Sequence, residues 1–195
     1  MYNFKLLILL FSIIFILTSF QSVYAHGLGT VESDIQFFND SHFKIKVQTT
    51  PDVLTGNESK IGFKITTINH DQNSTVLDIE YFVNVSNPKT GESILSFNAY
   101  SPDDSFYAQI IPTSTVSILG DTTKNEFWIG SRENPLLIEA PLFIHGGLVQ
   151  VDVNILSINS ESIPRPPYFE TLLTIGEYIP FEITADTKHD LMFAT

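Results

Sequence analysis

The 195-residue sequence contains no cysteine and few basic residues, and both shortages narrow the classes of protein to consider. The absence of cysteine excludes a disulfide-stapled scaffold, a thiolate zinc site and a cysteine nucleophile. The chain has only 10 Lys and Arg but 22 Asp and Glu, which gives a net charge of -12 at pH 7. A chain this acidic lacks the basic face that nucleic acids and anionic lipid surfaces require, so neither is an expected partner.

Sequence patterns that carry catalysis are also missing. The chain has no H-E-x-x-H zinc motif, no Walker sequence, no EF-hand loop and no G-x-S-x-G nucleophile elbow. Residues 145–147, His-Gly-Gly, are similar to the oxyanion loop of α/β-hydrolases, but that chemistry needs the missing elbow. A glycine turn before a strand is the simpler interpretation. We therefore predict a protein that is not an enzyme and has no catalytic residue.

The hydrophobic pattern after residue 30 has a period of two, which is typical of half-buried β-strands. No segment there has helical periodicity, and polar turns recur roughly every 8 to 12 residues, as in a β-sandwich. We predict one all-β domain over 26–185, an Ig-like or cupredoxin-like antiparallel β-sandwich, with Lys44 and Lys46 protecting an edge strand. The strands are predicted over 43–47, 61–66, 77–85, 93–99, 105–111, 114–119, 125–129, 136–139, 149–155, 168–175 and 178–184.

Residues 1–25 have the layout of a secretory signal peptide. Lys5 supplies a positive charge, residues 6–17 are apolar apart from one serine, and Val23 and Ala25 occupy the -3 and -1 positions of a cleavage site. The alternative is an uncleaved anchor, but the apolar stretch is shorter than the roughly 20 residues that span a bilayer. We expect cleavage after Ala25 and a secreted, extracytoplasmic protein. Lys5 is the only charge lost, so the mature net charge is -13.

Three further features concern the surface and the C-terminus. Residues 186–195 are expected to form a flexible tail. Residues 164–167, Pro-Arg-Pro-Pro, predict a stiff crossover between strands, the alternative being a docking motif for an aromatic groove. Asn-X-Ser/Thr sequons, which matter only in a host that glycosylates secreted proteins, occur at Asn39, Asn57, Asn73 and Asn84.

His26 becomes the N-terminal residue if the signal peptide is cut after Ala25. Its α-amine and imidazole could then chelate one metal ion together, and nitrogen ligands of this kind favour Cu(II). At least one more ligand is needed, and His145 is the best candidate because it precedes a predicted strand. The alternative is that His26 is only a polar residue tolerated at the cleavage site.

The sequence leaves two other binding surfaces open. Trp128 and the other aromatic residues are expected to fill the core, the alternative being a surface strip that binds carbohydrate. A turn-rich acidic region is expected to form solvated turns that keep the protein soluble, the alternative being a Ca²⁺ site with oxygen ligands. Its acidic residues are Asp103, Asp104, Asp121 and Glu126.

Several short segments resemble a group of secreted proteins from ammonia-oxidising archaea. They are residues 26–29 (His-Gly-Leu-Gly), 140–143 (Ala-Pro-Leu-Phe), 146–148 (Gly-Gly-Leu) and 169–183. The members of that group are predicted β-sandwiches without an established activity. The resemblance implies an extracytoplasmic location.

The chain also resembles the cupredoxin-like B subunit of archaeal ammonia monooxygenase, whose mature chain likewise begins with His-Gly. That family supplies further copper ligands from a His-x-His pair on a late strand after a glycine. The pair would fall here on Gln150 and Asp152, and glutamine is a poor copper ligand while aspartate is a harder one. Since only His26 matches the family pattern, the resemblance implies a weaker copper site, completed by His145 or Asp152.

These observations lead to two functional hypotheses. The first is an exported, non-enzymatic binding or structural module at the cell envelope, whose partner is a membrane-complex or surface-layer protein. The second is a copper-binding protein that uses His26 for copper delivery or storage. No other cofactor is expected.

Overall fold

A computed structural model describes residues 28–177. The signal peptide, His26, the predicted strand 178–184 and the tail 186–195 lie outside the described residues. Within 28–177 the chain forms β-strands and no helix, and thus no helix that could cross a membrane. The strands are β1 (Thr30–Glu32), β2 (Gln36–Phe38), β3 (Ser41–Thr50), β4 (Val53–Leu54), β5 (Ile61–Asn69), β6 (Ser74–Thr75), β7 (Ile79–Ser86), β8 (Ser93–Ser101), β9 (Phe106–Pro112), β10 (Ser117–Leu119), β11 (Trp128–Ile129), β12 (Leu136–Ala140), β13 (Gly147–Ile158), β14 (Glu161–Ser162) and β15 (Tyr168–Glu177).

The strands form two sheets that pack face to face, which confirms the predicted β-sandwich. Sheet 1 has the order β1-β3-β5-β9-β12-β10, with β2 paired to β3 and β6 to β5. Sheet 2 has the order β11-β8-β7-β13-β15-β4, with β14 paired to β13. Most pairings are antiparallel, as predicted, but β9 with β12, β8 with β11 and β4 with β15 are parallel. Both sheets are therefore mixed.

The core lies between the sheets and is built from the alternating apolar residues. Ile45 and Val47 of β3 and Val153 of β13 are fully buried. The rings of Phe97 on β8 and Phe106 on β9 lie 5.9 Å apart, which joins the two sheets. Burying one such side chain contributes roughly 1.5–3 kcal/mol. Trp128 is partly buried against this core, as the sequence predicted.

One polar contact crosses the core. Thr67 on β5 and Tyr81 on β7 belong to different sheets, and the Thr67 Oγ1 and the Tyr81 hydroxyl oxygen lie 2.9 Å apart. Both residues are buried, with exposed fractions of 0% and 1%. Burial raises the pKa of Tyr81 well above its ordinary value, so the phenol stays protonated. The bond satisfies both hydroxyls where water does not reach them.

Three sequence predictions about connections and edges are wrong. Lys44 and Lys46 do not lie at an edge, because β1 and β2 cover β3 on that side. Leu77 precedes β7 and is exposed, since the left-handed backbone at Asp78 (φ 53°) breaks the strand. Residues 164–167 do not cross between the sheets. They lie in the connection from β13 to β15, which are directly paired neighbours in sheet 2.

Candidate functional site: the outer face of sheet 2

Of the three predicted metal ligands, the structure describes two, His145 and Asp152, and these two do not lie together. His26 is outside the described residues. His145 lies in the turn before β13, with its side chain 78% exposed and its Nδ1 3.4 Å from Glu177 Oε1. Asp152 lies on β13 five residues beyond Gly147, which is about 17 Å along a strand. Residues 28–177 contain no group of three His, Asp or Glu side chains placed to hold a metal ion.

His145 does, however, lie near the end of the sandwich where the described chain begins. Leu28 forms an isolated bridge with Thr174 on one side of β15. Gly146 packs against the other side, where an added Cβ would lie 2.7 Å from the Glu177 Cβ. Leu28 and the His145 turn are thus two strand spacings apart, about 10 Å. A glycine is required at position 146 by this close approach.

Two of the four residues of the acidic turn region, Asp103 and Asp104, contact Arg132 of the same chain. The backbone N–H of Arg132 donates to Asp103 Oδ2 at 2.9 Å, and the guanidinium lies 3.3 Å from Asp104 Oδ2. The guanidinium also lies over the Tyr107 ring, 5.6 Å from its centroid. Asp103 and Asp104 therefore face a positive charge, and nothing in this geometry favours a Ca²⁺ site.

Asp152 is instead the centre of a hydrogen-bonded group on the outer face of sheet 2. Its exposed fraction is only 9%. Oδ1 accepts hydrogen bonds from Gln150 Nε2 and from the Tyr168 hydroxyl, both at 2.9 Å. Oδ2 accepts from Asn84 Nδ2 at 3.1 Å, and Asn84 Oδ1 in turn accepts from the Ser93 hydroxyl at 2.6 Å. Neutral donors alone therefore hold this carboxylate.

The Tyr168 hydroxyl remains a donor over the physiological pH range. Burial and the hydrogen bond to Asp152 raise its pKa to about 12. The ring is nevertheless exposed (47% for the residue). Because Asp152 is a diagonal neighbour across the β13–β15 pair, the hydrogen bond draws the ring across the sheet surface. Tyr168 therefore presents an anchored aromatic ring to solvent.

The strand register places these residues in rows across sheet 2. One row contains Asn84, Asp152 and Glu170, which are direct partners on β7, β13 and β15. The next row contains Phe82, Asn154 and Tyr168. We call the outer-facing residues of these two rows, extended onto β8 by Ser96 and Asn98 and together with Gln150, the outer polar face. Its members are Phe82, Asn84, Ser96, Asn98, Gln150, Asp152, Asn154, Tyr168 and Glu170.

The outer polar face has no positive charge of its own. None of the four strands β7, β8, β13 and β15 contains Lys or Arg. Sheet 1 differs, because β3 and β5 carry Lys44, Lys46 and Lys64. The outer polar face therefore combines carboxylates, amides and two exposed aromatic rings.

Sequence reasoning named Asp152 only as a copper ligand and did not find the group around it. Phe82 interrupts the polar side of an alternating strand, between Tyr81 and Val83 on the buried side. That position marks an exposed aromatic ring and could have been found. Tyr168 carries no comparable signal, since it is the first residue of its strand.

Comparison of the chain with protein-family models, with curated proteins and with solved structures found no match.

Proposed function

We propose that this protein is an exported, non-enzymatic binding module that attaches to a component of the cell envelope through the outer polar face of sheet 2. The observation that carries the proposal is the Asp152 group beside two exposed aromatic rings. A nearly buried carboxylate is costly unless several donors satisfy it, and here Asn84, Gln150 and Tyr168 do so. These contacts hold their side chains in place before any partner arrives, which reduces the entropy lost on binding.

The charge of the outer polar face limits the partner. Asp152 and Glu170 lie in one row, and the four central strands of sheet 2 supply no basic residue. A neutral or basic partner is favoured over an acidic one. The partner we propose is a membrane-complex or surface-layer component whose contact surface is neutral or basic.

Binding to isolated envelopes tests the proposal. Labelled mature protein would be sedimented with envelopes of the native host, and the bound fraction measured against concentration. We expect saturable binding that Tyr168→Ala weakens at least about tenfold, since an aromatic anchor carries a large share of the binding energy of an interface. Tyr107→Ala is the matched control, because Tyr107 is a partly buried tyrosine of sheet 1, contacting Lys64 and Arg132. Equal binding by wild type and Tyr168→Ala would refute a role for this face.

A second candidate function is copper binding at the end of the sandwich that carries His145. The specific observation is that Leu28, two residues after His26, lies about 10 Å from the His145 turn. A chelate formed by the His26 amine and imidazole would take its next ligand from the His145 ring or the Glu177 carboxylate, whose Nδ1 and Oε1 lie 3.4 Å apart. Asp152 is too distant along β13 to share that site.

Copper titration of the exported protein tests this second candidate. Intact mass would first establish whether the chain begins at His26. A stoichiometric Cu(II) EPR signal with several nitrogen couplings is expected, and one extra residue before His26 should abolish it by blocking the α-amine. His145→Gln should remove one nitrogen coupling. Copper affinity that is unchanged by the extra residue would exclude the chelate.

A further inference from the structure

We infer that the outer polar face binds a neutral, extended oligosaccharide, with Phe82 and Tyr168 as platforms for sugar rings. This inference rests on the proposed function and names its ligand class. It follows from two exposed aromatic rings in one row of the sheet surface, beside a row of amide and carboxylate side chains.

The two aromatic residues are placed so that one extended ligand can reach both. Phe82 and Tyr168 both pair with Asn154 on β13, so their backbone positions are two strand spacings apart, about 10 Å. The hydrogen bond to Asp152 draws the Tyr168 ring from β15 toward β13, so a ligand of a few sugar rings can span both side chains. Both rings are exposed, Phe82 at 38% and Tyr168 at 47%. A pyranose has an apolar C–H face, which packs on the face of an aromatic ring.

The side chains between and beside the rings suit sugar hydroxyls. Each hydroxyl is both a donor and an acceptor, and an amide side chain offers both functions. Asn154 lies between the two rings, and Asn98 extends the same row beyond Phe82. The next row brings Asn84, Asp152 and Glu170 alongside. A bound chain therefore meets alternating aromatic and polar groups along its length.

The lack of Lys and Arg on the outer polar face argues against acidic glycans and phosphorylated ligands. Uronates, sulfates and phosphates need cationic partners, preferably arginine. The strands of the outer polar face contain Asp152 and Glu170 and no Lys or Arg. A neutral sugar carries no charge to be repelled and requires only neutral hydrogen-bonding groups.

The chemistry of the centre favours a sugar over a protein surface. Protein interfaces place apolar residues at the centre and polar residues at the rim. Here the central strand β13 presents Gln150, Asp152 and Asn154, and the two aromatic rings lie on the strands at either side of it, β7 and β15. Such an arrangement matches a ligand whose apolar patches alternate with hydroxyls.

The test separates the sugar from a protein partner on the same envelopes. One sample of envelopes would be oxidised with periodate, which cleaves vicinal diols, and a second would be digested with protease. Wild-type protein should lose binding to the periodate-treated sample and keep it on the digested one. Neutral hexasaccharides of glucose, N-acetylglucosamine and mannose, and hexagalacturonate as the acidic comparison, would then be titrated by calorimetry.

Four variants connect the binding to the two rings. Phe82→Ala and Tyr168→Ala should each weaken binding at least about tenfold, a loss equivalent to roughly 1.4 kcal/mol. Tyr168→Phe loses the hydrogen bond to Asp152 but keeps the ring, so its affinity should remain within about threefold of wild type. This variant separates the platform from a structural role of the hydroxyl. Tyr107→Ala on sheet 1 should bind as wild type does.

Binding that survives periodate but is lost after protease treatment would overturn the sugar proposal, and a simultaneous loss in Tyr168→Ala would leave the proposed function intact with a protein partner. Equal affinity of the wild type and both alanine variants for envelopes would overturn the two proposals together. Stronger binding of hexagalacturonate than of every neutral hexasaccharide would also refute a neutral ligand.

Discussion

The hydrogen bond between Thr67 and Tyr81 joins the two sheets inside the core, and a double-mutant cycle on it gives a sharp prediction. Thr67→Val keeps the shape of the side chain but leaves the Tyr81 hydroxyl with no partner, 1% exposed. An unsatisfied buried hydroxyl costs roughly 1–3 kcal/mol. We therefore expect Thr67→Val to lower the free energy of unfolding by about 2 kcal/mol.

The reciprocal variant and the double variant have different expected costs. Tyr81→Phe should cost about 1 kcal/mol, less than Thr67→Val, because a threonine hydroxyl can rotate toward another acceptor. In the double variant both polar groups are gone and no orphan remains, so its cost should be below about 1 kcal/mol. The coupling energy between the two sites should accordingly exceed about 2 kcal/mol and have a stabilising sign.

Urea unfolding measures all four proteins in the cycle. Trp128 is the only tryptophan and is partly buried against the core, so its fluorescence reports unfolding. The slope of the free energy against urea should stay constant, since the buried surface hardly changes. If the double variant loses as much stability as the two single variants together, the hydroxyls do not depend on each other and the reasoning fails.

Three further predictions concern pH and backbone packing. The free energy of unfolding should fall above about pH 10, because unfolding frees the buried Tyr81 phenol to ionise. In urea unfolding, Tyr81→Phe should make this fall shallower by up to about 1.4 kcal/mol per pH unit. An unchanged pH dependence would contradict this role of Tyr81. The Glu58 carboxyl should titrate near pH 2 by NMR, because hydrogen bonds from Thr55 lower its pKa to about 2. Thr55→Val removes the hydroxyl donor and should bring the titration midpoint back toward 4.5. An unmoved midpoint would refute the role of the hydroxyl. Gly130→Ala should lower the free energy of unfolding by roughly 1–3 kcal/mol, since its Cβ would lie 2.4 Å from the Phe106 ring and the Tyr107 carbonyl oxygen. Gly62→Ala should be nearly neutral, because the nearest atom to its Cβ would be 3.5 Å away. Equal thermal unfolding midpoints for the two variants would argue against this packing.

The strands that alternation predicted are those with one face in the core. β3, β5 and β13 contain the predicted ranges because each has at least three apolar residues in alternation, and each strand extends beyond that alternating stretch. β1 and β2 have three residues each, too few for a period of two to be recognised. Missing them made β3 look like an edge strand, and this is why Lys44 and Lys46 were assigned to an edge.

The parallel pairings could not be predicted for a different reason. β9 and β12 are separated by β10 and β11, and β8 and β11 by β9 and β10. Alternation shows which side of a strand is buried, but it does not show which strand lies next to it. Pairing between distant segments depends on how the whole core closes.

The same limit explains why the candidate site was found only in part. Alternation along β7 and β13 already places Asn84 and Asp152 opposite the buried valines, on outward-facing positions. Their contact requires β7 to be the neighbour of β13, although 68 residues separate Asn84 from Asp152. Tyr168 joins them only because β15 covers the other side of β13. Each outward-facing residue can thus be recognised from local sequence, whereas the row that joins Phe82, Asn154 and Tyr168 exists only once three distant strands are in register. A binding surface on the outside of a sheet is a property of the strand order, and the rows of the outer polar face are therefore where the ligand should be sought.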